Sequence, residues 1–191
     1  MFSTMSEFRD IRTLIIDPSG HSKALLRSIL TNHGVFDVAC VAGTDEALET
    51  LRKDPFSIVF CDELAGPLEP FAFLRALRRD LTTRDVTVPV VLVSSGAHSS
   101  KVKAARDSGM SDVIVKPVSI GTIERKLRSL LHNPKPFITA GEFVGPDRRC
   151  SAADRRHFGE RLTILEDRRG TSSTGSLFDI SRLKPTEPIK S

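Results

Sequence analysis

Five short apolar runs punctuate residues 1–132, and each is followed by a stretch whose apolar residues recur at helical spacing. RTLIID (12–17) precedes HSKALLRSILTNH (21–33), DVACVA (37–42) precedes TDEALETLRK (44–53), and SIVFCD (57–62) precedes a helix over about 71–80. VPVVLVSS (88–95) precedes a helix over about 99–108, and DVIV (112–115) precedes SIGTIERKLRSLL (119–131). Strands that are apolar on both faces cannot leave one face in water. The sheet they form must be parallel and covered by helices on both sides, a doubly wound α/β fold. Thr44 is placed to cap the second helix and Gly109 to end the fourth. Leu25, Leu26, Ile29, Leu48, Leu51, Leu74 and Leu77 are the expected helical contribution to the core.

In such a sheet ligand chemistry sits at the carboxyl ends of the strands. The polar residues there are Asp17 after the first strand, Asp62 after the third, Ser94 near the end of the fourth and Lys116 after the fifth. Two acids, a hydroxyl and a lysine meeting at one rim are the parts of a phosphoryl-acceptor site. Asp62 is the expected nucleophile, Asp17 a holder of a divalent cation, and Ser94 and Lys116 the contacts to phosphoryl oxygens. The same four residues also suit the remnant of a pocket that no longer turns over.

LIID before an amphipathic helix, IVFCD, VLVSS and VKP (115–117) occur in the order and at the spacing of the CheY-like receiver domain of response regulators, and the chain resembles that family over about 120 residues. The resemblance implies a flavodoxin-like five-stranded sheet of order 2-1-3-4-5, Asp62 as phospho-acceptor, and a cis Lys116-Pro117 bond. It also implies a histidine kinase as partner and a magnesium site at Asp17, Asp62 and Leu64. Three positions depart from the family. Pro18 replaces the second acid after the first strand, which weakens the metal site. Val113 stands where receivers often carry an aromatic reporter, and ELAGPLEP follows Asp62 in place of the usual loop. Domain bounds follow: an extension over 1–10, the receiver over 11–132, and a tail over 133–191 whose binding core is 143–170.

The tail is organised differently. Residues 133–191 hold 11 Lys/Arg against 8 Asp/Glu, few apolar residues at any period, and the run GTSSTGS, so this segment is expected to stay disordered until a ligand orders it. Within it the triplet Asp-Arg-Arg occurs three times, at 147–149, 154–156 and 167–169. Asp147 to Arg169 carries seven arginines, five acids and no lysine. A merely solvating or diffusely positive segment has no need of that bias. RLTILE (161–166) alternates apolar and polar residues, the pattern of an edge strand added on binding.

Arg pairs bidentately with phosphate or with guanine O6 and N7, and it stacks on purine faces; Asp accepts from the adjacent N1-H and N2-H of guanine. Five acids would repel a nucleic-acid backbone, so nucleic acid is the poorer match. A receiver followed by FVGPDRR and an arginine-rich tail resembles the Cle proteins, CheY-like effectors of cyclic di-GMP (c-di-GMP). By that resemblance the ligand contacts come from Arg148, Arg149, Arg155, Arg156, Arg161, Arg168 and Arg169, with Asp147, Asp154 and Asp167 on guanine edges. The receiver then engages the flagellar motor switch protein, with recruitment to the motor at the cell pole. Ordering about 20 residues costs on the order of 20 to 40 kcal/mol of backbone entropy, whereas each bidentate base contact is worth about 1 to 3 kcal/mol. A self-intercalated c-di-GMP dimer, with four guanines and four phosphates, supplies the anchors that a monomer lacks. The expected role is a signalling adaptor, not an enzyme. A phosphorylation-driven regulator with a passive tail, and a nucleic-acid-binding regulator, are the alternatives.

No 18-residue apolar run and no signal-peptide core is present, so a cytoplasmic protein without membrane insertion is expected. Cys40, Cys61 and Cys150 have no metal-ligand spacing and read as reduced thiols.

Overall fold

The computed structural model describes residues 7–66, 69–80, 82–96, 99–140, 143–147 and 165–166. The strands and helices alternate as the apolar pattern requires: β1 (Arg12–Ile16), α1 (Gly20–Asn32), β2 (Asp37–Val41), α2 (Thr44–Lys53), β3 (Ile58–Asp62), α3 (Pro70–Arg79), β4 (Val90–Ser94), α4 (Ser99–Asp107), β5 (Asp112–Val115) and α5 (Ile120–His132). The five strands form one parallel sheet in the order β2-β1-β3-β4-β5. Successive residues of each strand feed opposite faces. Leu14, Ile16, Val59 and Cys61 pack with Leu48, Leu51, Phe73 and Leu74, whereas Ile15, Ile58, Phe60 and Val91 pack with Leu26, Ile29, Ile123 and Leu127. Each face removes a separate set of large apolar side chains from water, at about 25 cal/mol per Å² buried.

Two local expectations are corrected. Leu25 is 49% exposed, while Leu26 beside it is buried. Neighbouring helical residues differ by about 100° in direction, so only one of the pair can face the sheet. Thr44 is the first residue of α2, and Gly43 is its N-cap. The capping work passes to Glu46, whose Oε2 accepts from the Ala42 amide at 3.2 Å, while the Thr44 amide donates to the Gly66 carbonyl. Ser19 and Ser119 cap α1 and α5 by accepting from the amides of Ser22 and Thr122. Gly109 takes φ +92° just past α4, as the sequence predicts. Cys40 is exposed and Cys61 buried, both as free thiols, and burial pushes the Cys61 thiol up to about 12. Among the described residues no helix is long and apolar enough to cross a membrane.

The described chain continues past α5. β6 (Phe137–Ala140) and β7 (Phe143–Pro146) pair antiparallel as a hairpin, and β8 (Leu165–Glu166) pairs parallel to β6, with Ile138 opposite Leu165. Of RLTILE, Leu165 and Glu166 lie in β8, and the other four residues lie outside the described residues. The hairpin escapes the entropy argument by borrowing the receiver's surface. Phe137 and Ile138 are buried, and the Phe137 ring lies under the Arg78 guanidinium, whose carbon is 4.9 Å from its centroid. Arg78 itself is 5% exposed and donates to the carbonyls of Val86 and Val88. Burial pulls this guanidinium down to about 9, against the opposing pull of Asp85, so it is still charged at neutral pH. A Cβ added to Gly145 would lie 2.7 Å from the Gly109 Cα, which makes this a backbone-on-backbone contact that only glycine permits. Phe137 and Pro146 share a cavity with Ser57, Pro89 and Ser111, which precede β3, β4 and β5. The hairpin thus sits at the amino ends of the strands, opposite the polar rim.

Candidate functional site

Parallel strands of matched register deliver their last residues to one rim, and three of the four residues expected there meet. Asp62 ends β3 and is 3% exposed; Asp17 follows β1 and is 6% exposed; Lys116 follows β5 and begins the cis bond to Pro117. Lys116 Nζ lies 2.5 Å from Asp62 Oδ2, and Asp62 Oδ1 accepts from the Leu64 amide at 2.9 Å. Asp17 Oδ1 accepts from the Ser19 amide at 2.7 Å. Burial raises the Asp17 carboxyl above its ordinary range, the Ser19 amide opposes this, and the Asp62 charge adds to the rise. For Lys116, burial pulls downward, but Asp62, Asp17 and Glu63 outweigh it and the ammonium is raised. A cavity of about 120 Å³ opens beside these three residues, and apart from Ser22 its other walls are apolar, Leu25, Leu26 and Val118 among them. Leu25 is therefore a wall of the site's mouth and not a core residue.

Ser94 ends β4 and is fully buried, but its hydroxyl is already engaged. It donates to Glu63 Oε2 at 2.8 Å and lies 3.0 Å from the Gly96 carbonyl. Glu63 Oε1 also accepts from the Ser95 amide at 2.6 Å and from the Ser95 hydroxyl. Glu63 is thus a site residue that the sequence reading missed. The signal was available: an acid directly after the proposed nucleophile, facing a Ser-Ser pair across neighbouring strands. Val113 is half-buried against the first core face, so the reporter position is filled by packing.

The donor set is that of a reduced magnesium site, weakened as the sequence predicts. Asp17 and Asp62 are two suitable hard carboxylates and Pro18 adds none; Lys116 pairs with Asp62 Oδ2, and the Leu64 carbonyl accepts from the Gly66 amide at 2.8 Å with one lone pair left. Among the described residues no group of three or more His, Cys, Asp or Glu is arranged to hold a metal. Of the expected nucleotide contacts only Asp147 is described; its amide donates to the Pro136 carbonyl at 2.7 Å and closes the hairpin. Arg148, Arg149, Asp154, Arg155, Arg156, Arg161, Asp167, Arg168 and Arg169 lie outside the described residues.

Comparison with known proteins gives a consistent picture of the first two thirds of the chain. The response regulator receiver domain pattern matches residues 13–128. The chain is 25% identical over 171 residues to the sensor histidine kinase GacS of Pseudomonas protegens, covering 89% of this chain but 18% of that protein. Among solved structures, chemotaxis protein CheY4 of Vibrio cholerae is similar with a TM-score of 0.57 and 21% identity, over 63% of this chain and 98% of that one. The receiver domain of sensor histidine kinase PA1611 of Pseudomonas aeruginosa, which has a magnesium ion in its active-site cleft, is similar with a TM-score of 0.57 and 18% identity, over 64% of this chain and 98% of that one.

Proposed function

The chain belongs to the response regulator receiver family, and on that premise we propose that it is a c-di-GMP effector, an adaptor whose Asp147–Arg169 segment binds the dinucleotide and whose receiver then engages the flagellar motor switch protein. The observation that carries this reading is the threefold Asp-Arg-Arg repeat with seven arginines and no lysine, directly downstream of a hairpin fixed to the receiver. Arginine forks take the phosphates, the acids take guanine edges, and a dimeric ligand repays the ordering of the segment. Ligand binding at the motor would place the protein at the cell pole, within the cytoplasm.

The phosphorylation pocket supports a reduced role for the usual input. Lys116 on Asp62 keeps the acceptor's counter-ion, but the second metal acid is Pro18 and the switch hydroxyl of Ser94 is held by Glu63. A second reading, a regulator phosphorylated at Asp62 by a histidine kinase, is favoured by the Asp17, Asp62 and Lys116 grouping. Any magnesium would be held weakly by Asp17, Asp62 and Leu64.

Calorimetric titration of c-di-GMP into the full chain decides between them. The expected result is two ligands per chain, with binding weakened at least 100-fold in Arg148→Ala/Arg149→Ala and in Arg155→Ala/Arg156→Ala, about 2.7 kcal/mol. Absence of heat, with acetyl phosphate labelling Asp62, would favour the phosphorylation reading. Affinity that falls steeply with salt and ignores guanine would favour nucleic acid.

A further inference from the structure

Between the hairpin and the amino ends of β3, β4 and β5 lies a cavity of about 200 Å³ whose lining mixes apolar walls with polar groups that have capacity left. Phe56 and Phe137 are buried, and Leu130 and Leu131 at the end of α5 are half-buried, so its middle is apolar. Ser57 Oγ accepts from the Arg12 amide at 3.3 Å and Ser111 Oγ from the Val90 amide at 3.2 Å, and neither hydroxyl donates to another described residue. Asp85 Oδ1 accepts from the Thr87 amide at 2.7 Å and from its hydroxyl at 2.6 Å, while Oδ2 has no hydrogen-bond partner among the described residues. Lys135 has neither an ion pair nor a hydrogen bond among them.

The two charges stand at opposite ends. Lys135 and Ser111 also line the neighbouring cavity between α4 and α5, which Ser57 and Asp85 do not reach. The loop that holds Asp85 is tied instead to α2, through the Arg84 amide on the Leu51 carbonyl at 3.2 Å, and Ser57 follows that helix. Ser57 precedes β3 and Ser111 precedes β5, with β4 between them, so two strand spacings, roughly 10 Å, separate these hydroxyls. An ammonium and a carboxylate on one Cα are too close together to meet both ends. Two extended residues span about 7 Å, and a charge contact at each end completes the distance. A volume below the roughly 300 to 1,000 Å³ of a drug-sized pocket leaves room for little more.

We propose that this cavity binds a dipeptide with free ends and apolar side chains. Its ammonium donates to Asp85, its carboxylate accepts from Lys135 and the Ser111 hydroxyl, and its side chains lie against Phe56, Phe137 and the two leucines of α5. Ser57, Asp85 and Ser111 belong to the receiver, whereas Lys135 and Phe137 belong to the segment after α5. An occupied cavity therefore joins the hairpin to the receiver, whatever ligand the arginine-rich segment takes.

Titration of the dipeptide Leu-Phe into the full chain should show saturable binding at millimolar concentration, weakened at least tenfold when the peptide is acetylated at its amino end or amidated at its carboxyl end. Lys135→Gln should remove most of the penalty for amidation and keep that for acetylation. Asp85→Asn should do the reverse, with the loop kept because an amide oxygen still accepts from Thr87. In the unaltered chain Leu-Phe should slow amide exchange over residues 56–58, 85–88 and 130–137. No saturation by Leu-Phe, equal binding of the blocked peptides, or penalties that survive both substitutions overturns the proposal, and free leucine binding as tightly as Leu-Phe overturns the dipeptide as its occupant. If either variant does not fold, the blocked peptides and the exchange pattern of the unaltered chain decide.

Discussion

At the carboxyl ends of β1, β3 and β5 the chain gathers Asp17, Asp62 and Lys116 beside a cavity, whereas at the amino ends of β3, β4 and β5 it lays a hairpin over one arginine. The first region is held by charge: its acids share one ammonium, and its hydroxyl rests on Glu63. The second is held by shape, with Phe137 under Arg78 and Gly145 against Gly109. A charge-held site responds to protonation, metal or phosphoryl groups, because each alters the balance among its few ions. A shape-held contact responds to volume. The hairpin that precedes the segment proposed as the input is therefore fastened to the receiver by contacts that phosphorylation chemistry does not touch.

The sharpest break in that comparison is Arg78→Met. The variant keeps a similar length but leaves the Val86 and Val88 carbonyls without their donor, and it removes the cation over Phe137. A loss of about 3 kcal/mol is expected, read from urea denaturation. A loss below about 1 kcal/mol would mean that the hairpin end is not fixed by this residue. Gly109→Ala comes next. It forces a side chain into φ +92° and places a Cβ 2.5 Å from the Val144 carbonyl oxygen. About 2 kcal/mol is expected, with faster amide exchange confined to residues 137–146.

At the charged end the expected effects are smaller. Glu63→Gln weakens the acceptor for Ser94 and Ser95 and should cost about 1 kcal/mol, while freeing Ser94 to meet a phosphoryl analogue. Beryllofluoride binding at Asp62 should therefore strengthen several-fold. Equal binding in both proteins would show that Glu63 does not restrain the hydroxyl. Asp17→Asn is the mildest, and its sign is opposite. Burial and the Asp62 charge raise the Asp17 carboxyl, so the folded chain binds that proton more strongly than the unfolded chain does. Stability therefore falls as pH rises from the ordinary 3.8 through the raised value, and it stays lower above it. The amide still accepts from Ser19 and carries no charge, so a gain of about 0.5 kcal/mol is expected at neutral pH. That gain should vanish in acid, where the carboxyl is protonated in the parent too; a gain that persists in acid would assign it to packing.

Apolar periodicity placed β5 at 112–115 and α2 at 44–53, as found, because a fully buried strand and a half-buried helix each impose their own period on the chain. It also brought Asp17, Asp62 and Lys116 to one rim, since a parallel sheet must present its strand ends together. Three outcomes lay beyond that reach. Leu25 and Leu26 are chemically identical neighbours, and only the orientation of α1 decides which one is covered. Glu63 reads as an ordinary loop acid until β3 and β4 set it against Ser94. β6 and β7 hold too few apolar groups to fold alone, and their placement is decided by a ready-made partner, the surface formed by Arg78 and Gly109, which no local pattern in the two strands encodes. The sequence by itself determined the parallel sheet and the ring of charges at its carboxyl ends, because burial and strand direction act on every residue in turn, while the strand order followed from the resemblance to receivers. Tertiary structure alone decided which polar partners pair within that ring and where the chain beyond α5 comes to rest, because both depend on contacts between residues far apart in the chain.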